Sequence, residues 1–413
     1  MRILAGGAAE RRVKKIAGRN SRFGEVEPAV RRIIAEIQRE SDRALRKYAE
    51  RWDGLRRGMS LRVSEEEMRT AWNSARPELK KSLRAAARNI RRFCEMQKPK
   101  EWTCTREGIS LGQLVRPLNS VGCYVPGGRY PLVSTVLMTV IPAQTAGVEH
   151  ICVVSPQPSP DILAAAGMLG VRAFYRVGGA QAIAALAYGT ESVDRVDKII
   201  GPGNLYVTAA KTQVAFDCAI DFLAGPTEVV IVSDHGSPVF IAADLVAQAE
   251  HDPEAFAVFI TSKSELAAIV ADAARNLSRD KRIARDSLRR NGAILVSASR
   301  RQSFDWANQI AAEHLTVEEG DLAMVRNAGS VFVGDYSPQA AGDYASGPNH
   351  VLPTAGAARF RGGLSVADFV KVISVQKLSR RGLQKIGPVV ESLATTEGLR
   401  AHAESIRLRT AHA

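Results

Sequence analysis

The chain has 413 residues, of which 46% are hydrophobic and 24% are charged, and its 56 Lys and Arg against 43 Asp and Glu give a formal net charge of +13. This composition is typical of a folded protein of two to three domains or of one elaborate domain, and it excludes a disordered, collagen-like or low-complexity chain. The positive charge suggests nucleic-acid binding, but no aromatic residues interleave the basic segments to stack on bases, so we interpret the charge as solvated helix surface.

The first part of the chain is predicted to be helical. Residues 1–23 are expected to form an N-terminal helical arm. From Glu25 to about Lys98, apolar residues recur three and four positions apart with Arg and Glu between them. That spacing is typical of amphipathic helices with one buried face.

Beyond about Val115, short apolar runs alternate with helical stretches. The predicted strands are 150–156, 172–177, 197–203, 228–234, 256–261, 292–297 and 330–335, and the predicted helices are 160–170, 180–188, 203–214, 238–251, 263–289 and 301–313. This alternation predicts an α/β fold with largely parallel sheet, in one block at 124–228 and another at 229–364. The tail, 365–413, is predicted to be helical again.

The dinucleotide-binding fingerprint GxGxxG is absent from the sequence. The nearest match, GPGNLY (201–206), has Tyr206 in place of the third glycine. The usual phosphate loop is therefore not expected, although other glycine-rich turns offer backbone N–H groups.

The cysteine pattern and the hydropathy of the chain indicate the cellular compartment in which the protein is expected. The five cysteines form no CxxC pair, which favours a reducing cytoplasm and argues against a disulfide scaffold. The first residues contain too short an apolar run for a signal peptide, and the most apolar window, 133–148, is too polar for a membrane helix. We expect a soluble cytoplasmic protein.

The segment DLVAQAEHD contains a candidate metal site. Gln248 and His251 are three residues apart on one face of a predicted helix, with Asp244 a turn earlier. A neutral imidazole there could bind a divalent metal. The alternative is a histidine that interacts with the dipole of a helix C-terminus.

Three later segments carry further candidate residues. Glu313 and His314 in AAEHLTVE suit general acid–base chemistry, but neighbouring residues on a helix point apart, so they could act together only if the helix unwinds there. Asp343 and His350 flank a Gly/Pro turn and could converge on one ligand. In the tail, Glu397 and His402 are five residues apart; a simple helix would not place them on one face.

Taken in order, these segments resemble the histidinol dehydrogenase family, zinc- and NAD-dependent enzymes of histidine synthesis. The matching motifs are YVPGG, GGAQAIAALAYGT, GPGNLYV, AGPTEV, DLVAQAEHD, AEHL, GDYASGPNHVLPT and EGLRAH. They extend from Tyr124 to His402, about two thirds of the chain. Thr227 occupies the position of AGPTEV at which the family usually has Ser, so a hydroxyl is kept.

The resemblance implies a role for each matched residue. The implied ligands of one zinc ion per subunit are Gln248, His251, Asp343 and His402, the last reaching the zinc of the partner subunit in an intertwined homodimer. The implied acid–base pair is Glu313 and His314. The implied substrate contacts are Thr227, His314, His350, Glu397 and the four metal ligands. The implied NAD contacts are Tyr124, Gln181 and Asn204.

The resemblance also implies a domain arrangement. Two Rossmann-like domains without the glycine fingerprint are expected, with helical extensions at both ends. Residues 24–123 and 229–364 would form the first, with the metal and acid–base residues, and 124–228 the second, on the NAD side. Residues 365–413 would reach the partner subunit.

The implied reaction is the four-electron oxidation of L-histidinol through L-histidinaldehyde to L-histidine. His314 would take the alcohol proton as hydride passes to NAD, and Glu313 would activate the water that hydrates the aldehyde. Two alternatives stay open: a zinc- and NAD-dependent dehydrogenase of the same scaffold acting on another small polar alcohol or diol, and, from a different class, a nucleic-acid-binding protein.

Overall fold

The fold was described from a computed structural model, which covers residues 1–19, 23–127, 131–223 and 225–411. Gly128 of the YVPGG motif and Ala224 of the AGPTEV motif lie outside the described residues. The strands are β1 (Arg2–Ala5), β2 (Arg62–Val63), β3 (Trp102–Arg106), β4 (Ile109–Pro117), β5 (Ser120–Tyr124), β6 (His150–Val154), β7 (Ala173–Tyr175), β8 (Lys198–Ile200), β9 (Ala219–Ile220), β10 (Glu228–Val232), β11 (Phe256–Thr261), β12 (Ala293–Val296), β13 (His314–Val317), β14 (Ser330–Val333) and β15 (Val370–Leu378).

Helices cover the faces of the sheets and connect most of their parallel strands. The helices are α1 (Gly6–Ala17), α2 (Glu27–Trp52), α3 (Glu65–Ser74), α4 (Pro77–Gln97), α5 (Val133–Ala146), α6 (Pro160–Met168), α7 (Gly179–Tyr188), α8 (Leu205–Val214), α9 (Pro238–Ala249), α10 (Ser264–Leu277), α11 (Arg282–Arg290), α12 (Arg300–Ile310), α13 (Gln339–Tyr344), α14 (Arg380–Thr396) and α15 (Arg400–Ala411). Short 3₁₀ turns are formed by Phe23–Glu25, Glu319–Met324, Ala357–Arg359 and Val366–Phe369.

Two six-stranded sheets organise the described part of the chain. The first sheet has the order β1-β12-β11-β10-β13-β14 and is parallel throughout. The second has the order β2-β7-β6-β5-β8-β9 and is parallel except at β2. Because helices cover both faces, strands such as β10 and β11 are buried along their length and mostly apolar. The predicted α/β fold with parallel sheets is confirmed.

In both sheets the chain changes direction at one central strand. It runs outward from β10 to β11 and β12 and then crosses to β13 in the first sheet. It runs from β5 to β6 and β7 and then crosses to β8 in the second. The carboxyl ends of the strands at such a switch point form a crevice where open α/β sheets bind ligands.

Residues 1–23 were predicted to form a helical arm, but the described part of this segment contains a strand as well as a helix. β1 is an edge strand of the first sheet, where it pairs with β12, and α1 packs on α12. The apolar residues of α1 that face this core are Ala9, Val13 and Ile16. The start of the chain therefore belongs to the first sheet.

Residues 24–123 were predicted to share a domain with 229–364, but their packing is different. α2 packs on α7, α3 on α6 and α4 on α5, so these three helices cover the second sheet. The amphipathic period of a helix shows that one face is buried, but it does not indicate which sheet buries it.

Two other predictions of secondary structure were wrong. The stretch 263–289 is divided into α10 and α11, with the buried Ser278 in the turn that separates them. The tail is not wholly helical, because β15 pairs along its length with β4 in an antiparallel sheet of order β15-β4-β3. Within the described ranges, no helix is both long enough and apolar enough to cross a membrane.

Candidate active site

Glu313 and His314 lie where α12 ends and β13 begins. Ala311 adopts a left-handed conformation with φ +52°, which stops the helix before the pair. His314 is therefore the first residue of a strand, and its Nδ1 lies 3.5 Å from Oε2 of Glu313. Both residues are buried, with 7% and 3% of their surfaces exposed. Neighbouring side chains on a continuous helix would point apart. Because the helix ends before Glu313 and His314, their side chains can lie together.

The carboxylate of Glu313 is held by the start of β10. Its Oε2 accepts hydrogen bonds from the Thr227 hydroxyl at 2.5 Å and from the main-chain N–H of Glu228 at 2.8 Å. The side-chain amide of Gln248 in turn donates to the hydroxyl of Thr227. The structure thus brings Thr227, Gln248 and Glu313 together.

The ring of His314 has a defined orientation. Its Nδ1 lies 3.0 Å from the carbonyl oxygen of Glu228, which can only accept, so Nδ1 carries a proton. Nε2 lies 3.3 Å from Oδ1 of Asp343. Burial alone would lower the pKa of His314, but the charge of Glu313 and the hydrogen bond to Asp343 outweigh it and raise that pKa.

Asp343 and His350 continue the network from the 341–354 segment. Nδ1 of His350 donates to the carbonyl oxygen of Asp343 at 2.7 Å, and its Nε2 lies 3.4 Å from the Thr135 hydroxyl on α5. Burial lowers the pKa of His350. Burial would raise the pKa of Asp343, but the hydrogen bond from His314 and the charges of His314, His350 and His251 lower it.

The predicted metal ligands are only partly assembled in one chain. Gln248 is buried in the last turn of α9, and His251 lies exposed just beyond that helix, close enough for its charge to act on Asp343. Among the residues the structure describes, no three His, Cys, Asp or Glu side chains form a group that could hold a metal ion.

Glu397 and His402 are not brought to this site by their own chain. Glu397 caps the C-terminus of α14, and His402 lies in the first turn of α15; both are exposed. Their surroundings in one chain are the two tail helices, which pack on each other.

The three predicted NAD contacts lie at the carboxyl edge of the second sheet, around its switch point. Tyr124 ends β5, and its hydroxyl accepts from the N–H of Gly179 at 3.1 Å. Gln181 is buried in the first turn of α7. Asn204 caps α8, where its Oδ1 accepts from the N–H groups of Tyr206 and Val207.

Sequence reasoning did not identify Asp53, which supports this edge from the end of α2. Its Oδ2 accepts from the Gly178 N–H and from the Gln181 side-chain amide, both at 2.9 Å. Burial raises the pKa of Asp53. The sequence contained one signal, since Gly54 follows directly with φ +63° and marks a sharp helix end.

A buried ion pair that the sequence did not reveal fixes the GPGN turn. Nζ of Lys211 donates to Oδ1 of Asp221 at 2.6 Å and to the carbonyl of Gly201 at 2.5 Å, and the Gly201 N–H donates to Oδ2 of Asp221 at 2.7 Å. Gly201 has φ +107°, and a Cβ there would lie 2.2 Å from the carbonyl oxygen of Tyr124. Only glycine fits this position.

The comparisons with known proteins agree with one another. The family model of histidinol dehydrogenase matches residues 17–410. The chain is 48% identical to the histidinol dehydrogenase of Methanothermobacter thermautotrophicus over 391 residues, which cover 91% of this chain and 92% of that protein. It is 47% identical to that of Geobacillus kaustophilus, covering 92% and 93%. A solved structure, the histidinol dehydrogenase of Elizabethkingia anophelis, superposes with a TM-score of 0.94 at 36% identity, covering 99% of this chain and 98% of that one.

Proposed function

Because the chain belongs to the histidinol dehydrogenase family and is an oxidoreductase that oxidises histidinol to histidine, we propose that Glu313 and His314 are its proton-transferring pair. The observation that carries this assignment is the buried network in which Thr227 and the main chain of Glu228 hold both side chains. An acid–base pair needs such fixed geometry, because proton transfer is efficient only over hydrogen-bond distances.

His314 acts as the base on the alcohol. Its Nδ1 is held by the Glu228 carbonyl, so it is Nε2, in its unprotonated form, that takes the proton from the substrate hydroxyl while the carbinol C–H bond breaks. Asp343, 3.3 Å from Nε2, favours the imidazolium that forms. Bound NAD supplies the acceptor for the hydride of each of the two oxidations.

Glu313 acts on the aldehyde produced by the first oxidation. Thr227 and Glu228 both donate to its Oε2, which leaves Oε1 to take a proton from water. The oxygen of that water bonds to the aldehyde carbon while the aldehyde oxygen takes a proton from the His314 imidazolium. The hydrate then gives a hydroxyl proton to His314 and loses its remaining C–H hydrogen as the second hydride. The product is the carboxylate of histidine.

Zinc fits the donor set of Gln248, His251 and Asp343. Gln248 uses its amide nitrogen on Thr227, which leaves the amide oxygen for a ligand, and imidazole and carboxylate are usual zinc ligands. We propose that His402 of the partner subunit is the fourth donor. When bound, zinc would supply a Lewis acid that anchors the nitrogen atoms of histidinol.

We assign NAD to the carboxyl edge of the second sheet, the side of Tyr124, Gln181 and Asn204. The strand order around the switch point of each sheet is that of a Rossmann-like domain, which supports the assignment. The close approach of Gly201 to the carbonyl oxygen of Tyr124 fixes the course of the GPGN turn at this edge. Thr227, His350, Glu397 and His402 are proposed to contact the substrate together with the other zinc ligands.

We further propose an intertwined homodimer in which residues 365–413 complete the partner's site. The β15-β4-β3 sheet exposes Trp102, Leu111, Val372 and Ile373, and α14 exposes Val389 and Leu393. An apolar surface of this kind on a small sheet is what a second copy would cover. The five cysteines are free, which supports a reducing, cytoplasmic location.

The test is a steady-state assay of the purified protein with zinc, NAD and histidinol. Two NADH are expected per histidinol consumed, and His314→Asn should abolish turnover. The matched control is His150→Asn, a substitution of an exposed histidine at the start of β6. NADH formation with another amino alcohol but not with histidinol would contradict the proposal.

A further inference from the structure

One buried charged side chain beside the acid–base pair has no part in the mechanism above. Glu228, the first residue of β10, is 2% exposed, and both of its carboxylate oxygens are used. Oε1 accepts from Nε of Arg19 at 2.7 Å and from the Ala355 N–H at 2.8 Å. Oε2 accepts from Nη2 of Arg19 at 2.6 Å and from the Glu313 N–H at 3.3 Å. The contact with Arg19 is bidentate, the strongest geometry for an ion pair.

The same residue holds the acid–base pair through its main chain. Its N–H donates to the carboxylate of Glu313, and its carbonyl accepts from Nδ1 of His314. The main chain of Glu228 therefore contacts both members of the pair, and its side chain also accepts from the main-chain N–H of Glu313. A small shift of Glu228 would move both of them together.

Arg19 is fixed on three sides. Its Nη1 donates to the carbonyls of Ile16, near the end of α1, and Ile310, the last residue of α12, and its guanidinium lies 4.8 Å from the centre of the Phe256 ring. Since α12 leads directly into Glu313, the arginine ties the N-terminal segment to the segment that carries the pair.

The positive charge of Arg19 also compensates the negative charge of the buried Glu228 carboxylate. Glu228 and Glu313 carry carboxyl groups close together in a buried region, where like charges repel strongly. Removing one partner of a buried ion pair leaves an uncompensated charge, which is more costly than losing both partners. Without Arg19, we expect repulsion between the two carboxyl groups to displace Glu228 or Glu313 from its observed position.

Building on the proposed function, we propose that Glu228 and Arg19 form a positioning pair that fixes Glu313 and His314 for proton transfer. The pair supports turnover rather than the binding of substrate or cofactor. The N-terminal segment therefore contributes to the active site, although Arg19 and Glu228 are 209 residues apart in the sequence.

The test compares Arg19→Ala with Arg300→Ala, a matched control at the first residue of α12. Arg300 is 23% exposed against 18% for Arg19 and pairs with Glu318 and Asp321, but it lies beside the far end of β13 from His314. Arg19→Ala should lower kcat about tenfold or more and change KM for histidinol and NAD less than about threefold. Arg300→Ala should leave kcat within about twofold.

A double variant separates positioning from folding. In Arg19→Ala with Glu228→Gln the buried charge is gone, so kcat should be at least about threefold higher than in Arg19→Ala alone. Arg19→Lys, which keeps the charge, should retain more kcat than Arg19→Ala. Equal losses of kcat in Arg19→Ala and Arg300→Ala, or strictly additive losses in the double variant, would overturn the positioning role.

The same assays distinguish this inference from the proposed function. If wild-type enzyme oxidises histidinol, Glu313→Gln is inactive and Arg19→Ala is as fast as wild type, the positioning pair is refuted and the proposed function stands. If Glu313→Gln and His314→Asn keep full turnover, the proposed function is refuted and the positioning role with it.

Discussion

Gln181 donates its side-chain amide to the carboxylate of Asp53 over 2.9 Å, although the two residues are 128 positions apart in the chain. The Gly178 N–H donates to the same oxygen, so Asp53 occupies the N-terminus of α7, where nucleotide-binding proteins often hold a phosphate. Asp53 therefore fixes the position of Gln181, one of the three proposed NAD contacts.

This relationship leads to the first expectation. Asp53→Ala removes the acceptor of two buried N–H groups, and an unmade buried hydrogen bond costs about 1–3 kcal/mol. We expect NAD binding about fivefold to a hundredfold weaker, measured by titration calorimetry. Asp53→Asn keeps an oxygen acceptor and should bind NAD within about threefold of wild type. Equal affinity in Asp53→Ala and wild type would show that Gln181 needs no support.

The hydroxyl of Thr227 is the subject of the second expectation. Thr227→Val keeps the shape but leaves the Gln248 amide and the Glu313 carboxylate without their shared partner. We expect kcat to fall about tenfold or more, while Thr227→Ser stays within about threefold. The control is Thr145→Val in α5, whose hydroxyl bonds only its own helix at Ile141. A slow Thr227→Ser enzyme would show that the methyl group, rather than the hydroxyl, is needed.

The contrast between sequence and structure is clearest at Glu313 and His314. The sequence marks both residues by type, and the resemblance assigns them a role, but the predicted helix 301–313 still included Glu313. The left-handed Ala311 ends it, and no local propensity indicates that conformation for alanine. The residue types of the pair were therefore evident from the sequence, whereas the orientation of the side chains was not predictable.

Contacts between distant segments explain what else could not be predicted. The strands with apolar runs and flanking turns were found, because their signal is local. β15 was missed because its partner, β4, lies about 250 residues earlier, and most of its residues are exposed. Arg19 and Glu228, like Asp53 and Gln181, pair across the fold, and a single sequence contains no sign of such a pairing.

Asp234, at the carboxyl edge of the first sheet, leads to an expectation about how the free energy of unfolding depends on pH. Burial would raise the pKa of Asp234, but hydrogen bonds from Ser262 and Thr261 and the charge of Arg300 lower it below its ordinary value of 3.8. A carboxyl group whose pKa is lower in the folded state stabilises the fold above its unfolded pKa, and that contribution is lost as the pH falls through the folded pKa.

Asp234→Asn is therefore expected to unfold more easily than wild type at pH 7, by about 1 kcal/mol or more. The difference should shrink steadily as the pH falls below about 4, where the wild-type carboxyl also becomes protonated. Urea unfolding at several pH values measures it, with Asp272→Asn on the exposed face of α10 as the control. A difference independent of pH would contradict the assignment of the effect to charge.

The proposed dimer makes the last expectation, because His402 and His314 would act in one site from different chains. In a mixed dimer of His402→Ala and His314→Asn chains, one site would have His314 from the first chain and His402 from the second, and would be complete. The other site would lack both. After unfolding and refolding an equal mixture, half the dimers are mixed and each has one complete site, so activity should recover to about a quarter of wild type. Each variant refolded alone should stay inactive, and zinc content should rise in the mixture relative to His402→Ala alone. A mixture that remains inactive although mixed dimers form, as mass spectrometry of tagged chains would show, means that His402 serves its own chain or no site at all.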